Sequence, residues 1–169
     1  MYNVTILGKT CSGKTAFCEQ LSGSKFTSSY LKTIEVTPYY FPTMTIHDTP
    51  SGRRFTSKNE TLYEHTNLFL LIANDDQRNS MIYEKIEEGW PNKEWILVLN
   101  GSGDFHMRRM WALSHDIRVF QLDMKLDNGL IRIMDYIRDL STLDLTVHPP
   151  VVDLHLGWDY LGVLYSSCV

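Results

Sequence analysis

Continuous apolar runs alternate along the chain with stretches in which apolar residues recur every three to four positions. The runs at 69–72 (FLLI) and 96–99 (ILVL) predict strands that are buried on both faces. Ile131, Met134 and Ile137 have helical spacing, so one face of a helix there can pack against a sheet. The full pattern predicts strands at 3–7, 43–47, 68–73, 95–99 and 118–122 and helices at 14–21, 80–90, 107–113 and 130–140. We therefore expect an α/β fold in which helices cover both faces of a mostly parallel sheet.

Length and composition indicate one ordinary globular domain. The 169 residues are enough for a full hydrophobic core, and 43% hydrophobic with 21% charged residues is typical of globular proteins. A net charge of −4 argues against a general nucleic-acid-binding surface. The sequence has no membrane-length apolar run and no cleavable signal pattern. Cys11, Cys18 and Cys168 have unrelated spacings, so we expect reduced thiols in a cytoplasmic compartment.

The composition changes after residue 140. The segment 147–150 (VHPP) ends any helix, and residues 151–169 are rich in apolar and aromatic side chains. We expect residues 1–140 to form the main domain and residues 141–169 to form an apolar C-terminal extension. Because such a segment must bury its side chains, we expect it to dock on its own domain. The alternative is that it packs into a neighbouring copy, as a homodimer, or against a partner.

Residues 8–15 (GKTCSGKT) connect the first predicted strand to the first predicted helix. The spacing G-x-x-x-x-G-K-[ST] is typical of the phosphate-binding loop, or P-loop, although a plain glycine turn is the simpler alternative. The glycines let backbone N–H groups point at phosphate oxygens, and the helix adds its positive N-terminal end. Lys14 is expected to reach the β- and γ-phosphates, and the Thr15 hydroxyl to bind Mg²⁺. The predicted contact set is Gly8, Lys9, Thr10, Cys11, Ser12, Gly13, Lys14, Thr15 and Ala16.

Asp48 follows the predicted strand 43–47 directly. A carboxylate at the end of a strand beside the P-loop strand can hold Mg²⁺ through water, although Asp is also a common turn residue. In the polar segment 25–36, Thr33 offers a hydroxyl that can complete the Mg²⁺ shell, and Phe26 can stack on a base. The alternative for this segment is an ordinary surface loop with one buried aromatic residue.

Two segments carry a resemblance to a known family. Residues 26–36 (FTSSYLKTIEV) are similar to the switch I pattern of Rab proteins. Residues 48–50 (DTP), followed by Arg54 and Phe55, are similar to the switch II pattern D-T-A-G-Q-E-R-F. Leu62 and Tyr63 also fall where that family has them. The chain therefore resembles a small GTPase of the Ras superfamily, most closely the Rab branch, over residues 1–140.

The resemblance implies a P-loop NTPase-type doubly wound fold that binds GTP or GDP with Mg²⁺ and acts as a switch in membrane trafficking. By position, Lys14 would hold the β- and γ-phosphates, and Thr15 with Thr33 would bind Mg²⁺. Asp48 would bind the metal through water, and Phe26 would pack against guanine. Regulatory or effector proteins would bind at residues 30–65. The remaining implied nucleotide contacts fall on Tyr30, Asn100, Asp104, Met124 and Lys125.

Switch II departs from the family pattern at two positions that matter for hydrolysis. The glycine that senses the γ-phosphate falls on Ser51, and the glutamine that orients the attacking water falls on Gly52. Because glycine has no side chain to orient water, we expect slow or absent hydrolysis unless Arg53, Arg54 or a partner replaces it. An alignment shifted by one residue instead places Gly52 at the sensing glycine.

The loops that recognise guanine are also altered. The family motif N-K-x-D falls on 100–103 (NGSG), with Asp104 one position late, and the motif S-A-K falls on 123–125 (DMK). Either the two glycines let the loop bring Asp104 to the base, or the segment is simply a glycine turn. We expect a weakened preference for guanine.

The expected partner surface and the C-terminus differ as well. Thr33 and Asp48 are 15 positions apart, too few for the long paired strands usual in Rab proteins, and we expect Pro38 and Pro42 to interrupt pairing further. Residues 166–169 (SSCV) form no prenylation motif, so we expect a cytoplasmic protein that is at most peripheral to membranes. The leading hypothesis is a divergent Rab-like GTPase. The alternatives are a pseudo-GTPase that competes for a Rab partner without turnover and, below it, a P-loop nucleotide kinase.

Overall fold

Strands and helices alternate along the chain as the apolar pattern predicts. The computed structural model describes residues 1–24, 33–51, 59–74, 80–124 and 129–142. Within them the strands are β1 (Tyr2–Leu7), β2 (Thr37–Tyr40), β3 (Met44–Asp48), β4 (Leu68–Ala73), β5 (Glu94–Asn100) and β6 (Arg118–Leu122). The helices are α1 (Lys14–Leu21), α2 (Glu60–Glu64), α3 (Ser80–Gly89), α4 (His106–Ser114) and α5 (Leu130–Thr142). Every predicted strand and helix is confirmed to within two residues at each end, whereas β2 and α2 were not predicted.

The strands form one sheet in the order β2-β3-β1-β4-β5-β6. β1 pairs in parallel with both β3 and β4, and β5 pairs in parallel with both β4 and β6. Only β2 pairs antiparallel among the described strands, so the prediction of a mostly parallel sheet is confirmed. Because parallel strands point the same way, the loops that follow β1, β3, β5 and β6 leave from one edge of the sheet. That edge brings together segments that are far apart in sequence.

Alternate residues of the central strands pack on opposite faces of the sheet. Val4 and Ile6 of β1 face a core that includes Phe17 of α1 and Ile133 of α5. The neighbouring Leu7 joins a second core, which contains side chains from α2, α3 and α4, namely Tyr63, Ile86 and Ala112. All six residues of β4 are buried, as the continuous apolar run predicts for a strand covered on both sides. Helices therefore lie on both faces of the sheet.

The short strand β2 corrects one expectation. Pro38 was expected to interrupt pairing, yet it lies within β2 and stands opposite His47 of β3. Among the described strands β2 is the last on its side of the sheet, so one row of its backbone groups faces no described strand and a proline is tolerated there. Pro42 lies outside both strands, in a tight turn where the Phe41 N–H donates to the Met44 carbonyl at 2.9 Å.

The helix α5 continues to Thr142, two residues past the predicted end of the main domain. The predicted apolar extension lies, apart from its first two residues, outside the part of the chain that the structure describes. Among the helices of the described residues, none combines the length and the apolar character needed to cross a membrane.

Candidate phosphate-binding site

The loop between β1 and α1 has a backbone that requires glycine at both ends. Gly8 has φ 150°, and a Cβ there would stand 2.5 Å from the Ile72 carbonyl oxygen. Gly13 has φ 99°, in the left-handed region, and a Cβ there would stand 2.7 Å from Nδ2 of Asn100 and 2.9 Å from Sδ of Met124. All three distances are too short for a real Cβ unless the neighbouring atom moves. The two glycines of the motif are therefore needed for close packing as well as for backbone conformation.

The start of helix α1 presents backbone donors at this loop. The first intrahelical bond runs from the Phe17 N–H to the Gly13 carbonyl at 2.9 Å. Gly13 is the N-cap residue and offers no side-chain hydrogen bond to the helix. The N–H groups of residues 13–16 thus precede the first helical bond, at the end of the helix where the dipole is positive. This is the backbone arrangement that binds phosphate in proteins.

Lys14 is enclosed by the loop that carries it, with only 5% of its surface exposed. Its Nζ donates to the carbonyl oxygens of Gly8 and Lys9, each at 3.0 Å, and to Oγ of Ser51. Burial lowers the pKa of Lys14 to about 8, and the nearby Asp48 carboxylate opposes that shift. Among the described residues no carboxylate lies within ion-pair distance of Lys14. A buried ammonium group without an ion-pair partner is a strong site for an anion such as phosphate.

Three predicted metal ligands meet beside Lys14. Oγ1 of Thr15 donates to Oδ2 of Asp48 at 2.6 Å and lies 2.8 Å from Oγ1 of Thr33, which is itself 3.3 Å from the same carboxylate oxygen. Asp48 is 1% exposed. Burial raises its pKa, while the hydrogen bond from Thr15, the charge of Lys14 and the hydrogen bond from Thr33 act in the opposite direction.

The donor set of this cluster fits Mg²⁺. The second carboxylate oxygen of Asp48, Oδ1, is buried and has no hydrogen-bond partner among the described residues, so it can accept a further contact. Mg²⁺ prefers oxygen ligands and usually takes one or two carboxylates together with phosphate oxygens and water. One carboxylate and two hydroxyls match that preference. The described residues contain no group of three or more His, Cys, Asp or Glu side chains that could hold a metal ion.

Asn100 joins the phosphate loop to two other loops at the same edge. Its Nδ2 donates to the Ser12 carbonyl at 3.1 Å, and its Oδ1 accepts the Met124 N–H at 3.4 Å. Gln20 of α1 adds a bond from Nε2 to the Met124 carbonyl at 2.8 Å. Asn100 and Met124 were predicted as nucleotide contacts, and the structure brings both against the P-loop. The bracing role of Asn100 was not predicted.

Asp104 lies at the beginning of helix α4 and is exposed. Its Oδ1 accepts the His106 N–H at 2.9 Å, a local bond that stabilises the entry into the helix. Both interpretations of the NGSGD segment stay open, because the carboxylate has a second oxygen. The contact favours the glycine-turn interpretation, in which Asp104 serves the helix.

Thr49 was not predicted as a site residue. Ser12 was in the predicted contact set and Ser51 was placed at the γ-phosphate-sensing position, but the burial of the Ser12 hydroxyl and the contact of Ser51 with Lys14 were not predicted. Thr49 is buried, and its Oγ1 donates to the Ile6 carbonyl at 2.6 Å, which fixes the chain after Asp48 against β1. Ser12 is fully buried, and its hydroxyl has no partner in the described part of the chain. Ser51 contacts Lys14. No local pattern identifies the contacts of Thr49 and Ser51, because each depends on two segments that meet only in the folded chain.

Several predicted site residues lie outside the described ranges. They are Phe26, Tyr30, Gly52, Arg53, Arg54 and Lys125. The sequence matches no protein-family model and no curated protein. The chemistry of the site therefore rests on the residues and distances given above.

Proposed function

We propose that this chain is a divergent Rab-like small GTPase that binds guanine nucleotide with Mg²⁺ and hydrolyses GTP slowly or not at all. It would act as a molecular switch in membrane trafficking, or as a mimic of one, with regulatory or effector proteins binding at residues 30–65. The observation that carries the proposal is the buried Lys14 ammonium, enclosed by a glycine-bounded loop and adjacent to the cluster of Thr15, Thr33 and Asp48.

We propose further that the fold is the P-loop NTPase-type doubly wound arrangement. The strand order supports this, because the chain runs from β1 to β3 on one side and from β1 to β4, β5 and β6 on the other. In open α/β sheets ligands bind outside the carboxyl ends of the strands, where the strand order reverses. Gly8–Thr15 follow β1 and Asp48 ends β3, the two neighbouring strands on one side of that reversal.

Each group has a role in holding a nucleotide. The Lys14 ammonium and the N–H groups of residues 13–16 would bind phosphate oxygens. Thr15 and Thr33 would hold Mg²⁺ through their hydroxyls, and Asp48 through water. When bound, Mg²⁺ supplies positive charge that neutralises phosphate oxygens during transfer. The chain's own part is to position the phosphates and to exclude water around a buried cation.

Slow hydrolysis follows from what the chain lacks at the expected positions. The side chain that orients the attacking water in the family falls on Gly52, and the γ-phosphate-sensing glycine falls on Ser51. Loss of an orienting side chain removes orders of magnitude in rate, because catalysis of phosphoryl transfer depends mainly on positioning.

One observation favours a second candidate, a pseudo-GTPase binding module that competes for a Rab partner. All three N–H groups of the Lys14 ammonium already have partners within the chain, so this ammonium is satisfied without a ligand. The His106 N–H at the start of α4 also donates to the Asp104 carboxylate, which would leave guanine recognition weaker than in the family.

Calorimetric titration with GDP, GTP and ATP, with and without Mg²⁺, separates these functions. We expect GDP and GTP to bind with Mg²⁺ dependence, and Lys14→Ala to weaken binding by about 100-fold or more, since hydrogen bonds to charged groups contribute about 1.5–3 kcal/mol each. Lys85→Ala, at an exposed position on α3, is the matched control. Absence of binding favours the pseudo-GTPase. Turnover that requires an acceptor nucleotide, with transfer of the terminal phosphoryl group to that acceptor and no release of free phosphate, would instead indicate a kinase.

A further inference from the structure

Ser51 is held beside the phosphate loop by the segment that precedes it. Thr49 is buried and its hydroxyl donates to the carbonyl of Ile6 in β1 at 2.6 Å. Pro50 is also buried and restricts the backbone that leads to Ser51. The Ser51 side chain therefore reaches Lys14 from a fixed position on a different strand connection, and not from the P-loop itself.

The hydrogen bonds of Lys14 show why this contact matters. An ammonium group has three N–H donors, and here they go to the Gly8 carbonyl, the Lys9 carbonyl and the Ser51 hydroxyl. The two carbonyls belong to the backbone of the loop and cannot turn away by rotation of a side chain. The hydroxyl can turn away by rotation about one side-chain bond. A phosphate oxygen that approaches Lys14 would most readily replace Ser51.

We propose that the Ser51 hydroxyl is an internal competitor for the terminal phosphate of a nucleoside triphosphate. In this proposal the N–H groups of residues 13–16 hold the β-phosphate of both nucleotides, and the terminal phosphate of the triphosphate displaces Ser51 from Lys14. The Ser51 hydroxyl therefore lowers the affinity of the chain for the triphosphate relative to the diphosphate. This inference rests on the proposed nucleotide-binding function, and it adds a residue that sets the preference between the two nucleotide states.

The alternative role of Ser51, assistance of the terminal phosphate, predicts the opposite change in triphosphate affinity. A serine hydroxyl is also a donor, and it can support a terminal phosphate instead of displacing it. Removing the hydroxyl would then weaken triphosphate binding. The direction of the change in affinity on removing Ser51 Oγ therefore decides between competition and assistance.

The experiment compares GDP with a non-hydrolysable imido analogue of GTP by calorimetry, using the wild-type chain and Ser51→Ala. We expect Ser51→Ala to raise the affinity for the triphosphate analogue relative to GDP by about tenfold, the size of one hydrogen bond to a charged group. Ser51→Thr keeps the hydroxyl and should retain the wild-type ratio. Ser24→Ala, at an exposed position beyond α1, is the matched control. A ratio that is unchanged or lowered in Ser51→Ala overturns the proposal.

A second pair of probes separates this inference from the proposed function. Pyrophosphate and tripolyphosphate lack a base, so they test the phosphate loop alone. If Ser51→Ala raises the affinity for tripolyphosphate over pyrophosphate while guanine nucleotides bind no better than ATP, competition by Ser51 stands and the guanine-specific switch fails. If nucleotides bind in a Lys14-dependent way, but Ser51→Ala changes neither the ratio of triphosphate to diphosphate affinity nor the ratio of tripolyphosphate to pyrophosphate affinity, the proposed nucleotide-binding function stands and the competition by Ser51 fails. If neither the wild-type chain nor Ser51→Ala binds any of the nucleotides or polyphosphates, both the inference and the proposed function are overturned.

Discussion

Replacement of Gly13 by alanine tests whether the phosphate loop is built as the structure indicates. Gly13 has φ 99°, and a Cβ would stand 2.7 Å from Nδ2 of Asn100 and 2.9 Å from Sδ of Met124. The left-handed backbone costs an L-residue about 1–2 kcal/mol. Displacing Asn100 also breaks its bond to the Ser12 carbonyl, which adds about 1 kcal/mol. We expect a total loss of about 2–3 kcal/mol in the free energy of unfolding.

Gly23→Ala is the matched control for this measurement. Gly23 also has a positive φ, 86°, but a Cβ there would meet nothing within 4 Å. It should therefore show only the backbone cost of about 1–2 kcal/mol. Urea unfolding followed by circular dichroism gives the free energy for each variant. If Gly13→Ala is no more destabilised than Gly23→Ala, the close packing of the P-loop against Asn100 and Met124 is refuted.

Two further predictions concern charge in the site. Asp48→Asn should reduce the dependence of nucleotide affinity on Mg²⁺, because it removes the only carboxylate of the cluster formed with Thr15 and Thr33. Calorimetry at several Mg²⁺ concentrations measures this dependence. If the dependence is unchanged in Asp48→Asn, the assignment of Asp48 to a metal site is contradicted. Burial lowers the pKa of Lys14 to about 8, against an ordinary value of 10.5. Between these two pH values the unfolded chain keeps a proton on Lys14 that the folded chain has lost. The free energy of unfolding without ligand therefore rises with pH from about 8 to about 10.5. From pH 8 to pH 10.5 the free energy of unfolding of the wild-type chain should increase by about 3 kcal/mol more than that of Lys14→Met. Urea unfolding at both pH values measures this difference. If the two proteins change equally, the burial of the Lys14 ammonium is contradicted.

The elements were predictable where local pattern and final structure agree. The continuous apolar run of β4 is buried along its whole length, and its neighbours in the sheet follow the same rule. β2 was not predicted because Pro38 favours a break in strand pairing when the sequence is considered locally. In the structure β2 is the outermost described strand on its side of the sheet, where a proline disrupts little backbone pairing. α2 was missed because five residues are too few to display helical periodicity, although Tyr63 anchors it against Phe69 and Trp90.

The candidate site was predictable in its parts and less so in its contacts. The glycine spacing of the P-loop is local, so Gly8, Gly13 and Lys14 were identified from the sequence alone. The meeting of Thr15 with Asp48 depends on β1 and β3 lying side by side and ending at one edge. The same tertiary arrangement brings Ser51 to Lys14 and Asn100 to the Ser12 carbonyl. Neither contact can be predicted from residue spacing.

The most direct test of a phosphate site in this loop is the response of its backbone amides to GDP with Mg²⁺, followed by nuclear magnetic resonance on the isotope-labelled chain. We predict that the largest chemical-shift changes fall on the N–H groups of residues 13–16, together with the side-chain ammonium of Lys14. If those signals stay unchanged while saturating GDP and Mg²⁺ are present, or if the changes fall on another part of the molecule, the proposed nucleotide-binding function is contradicted.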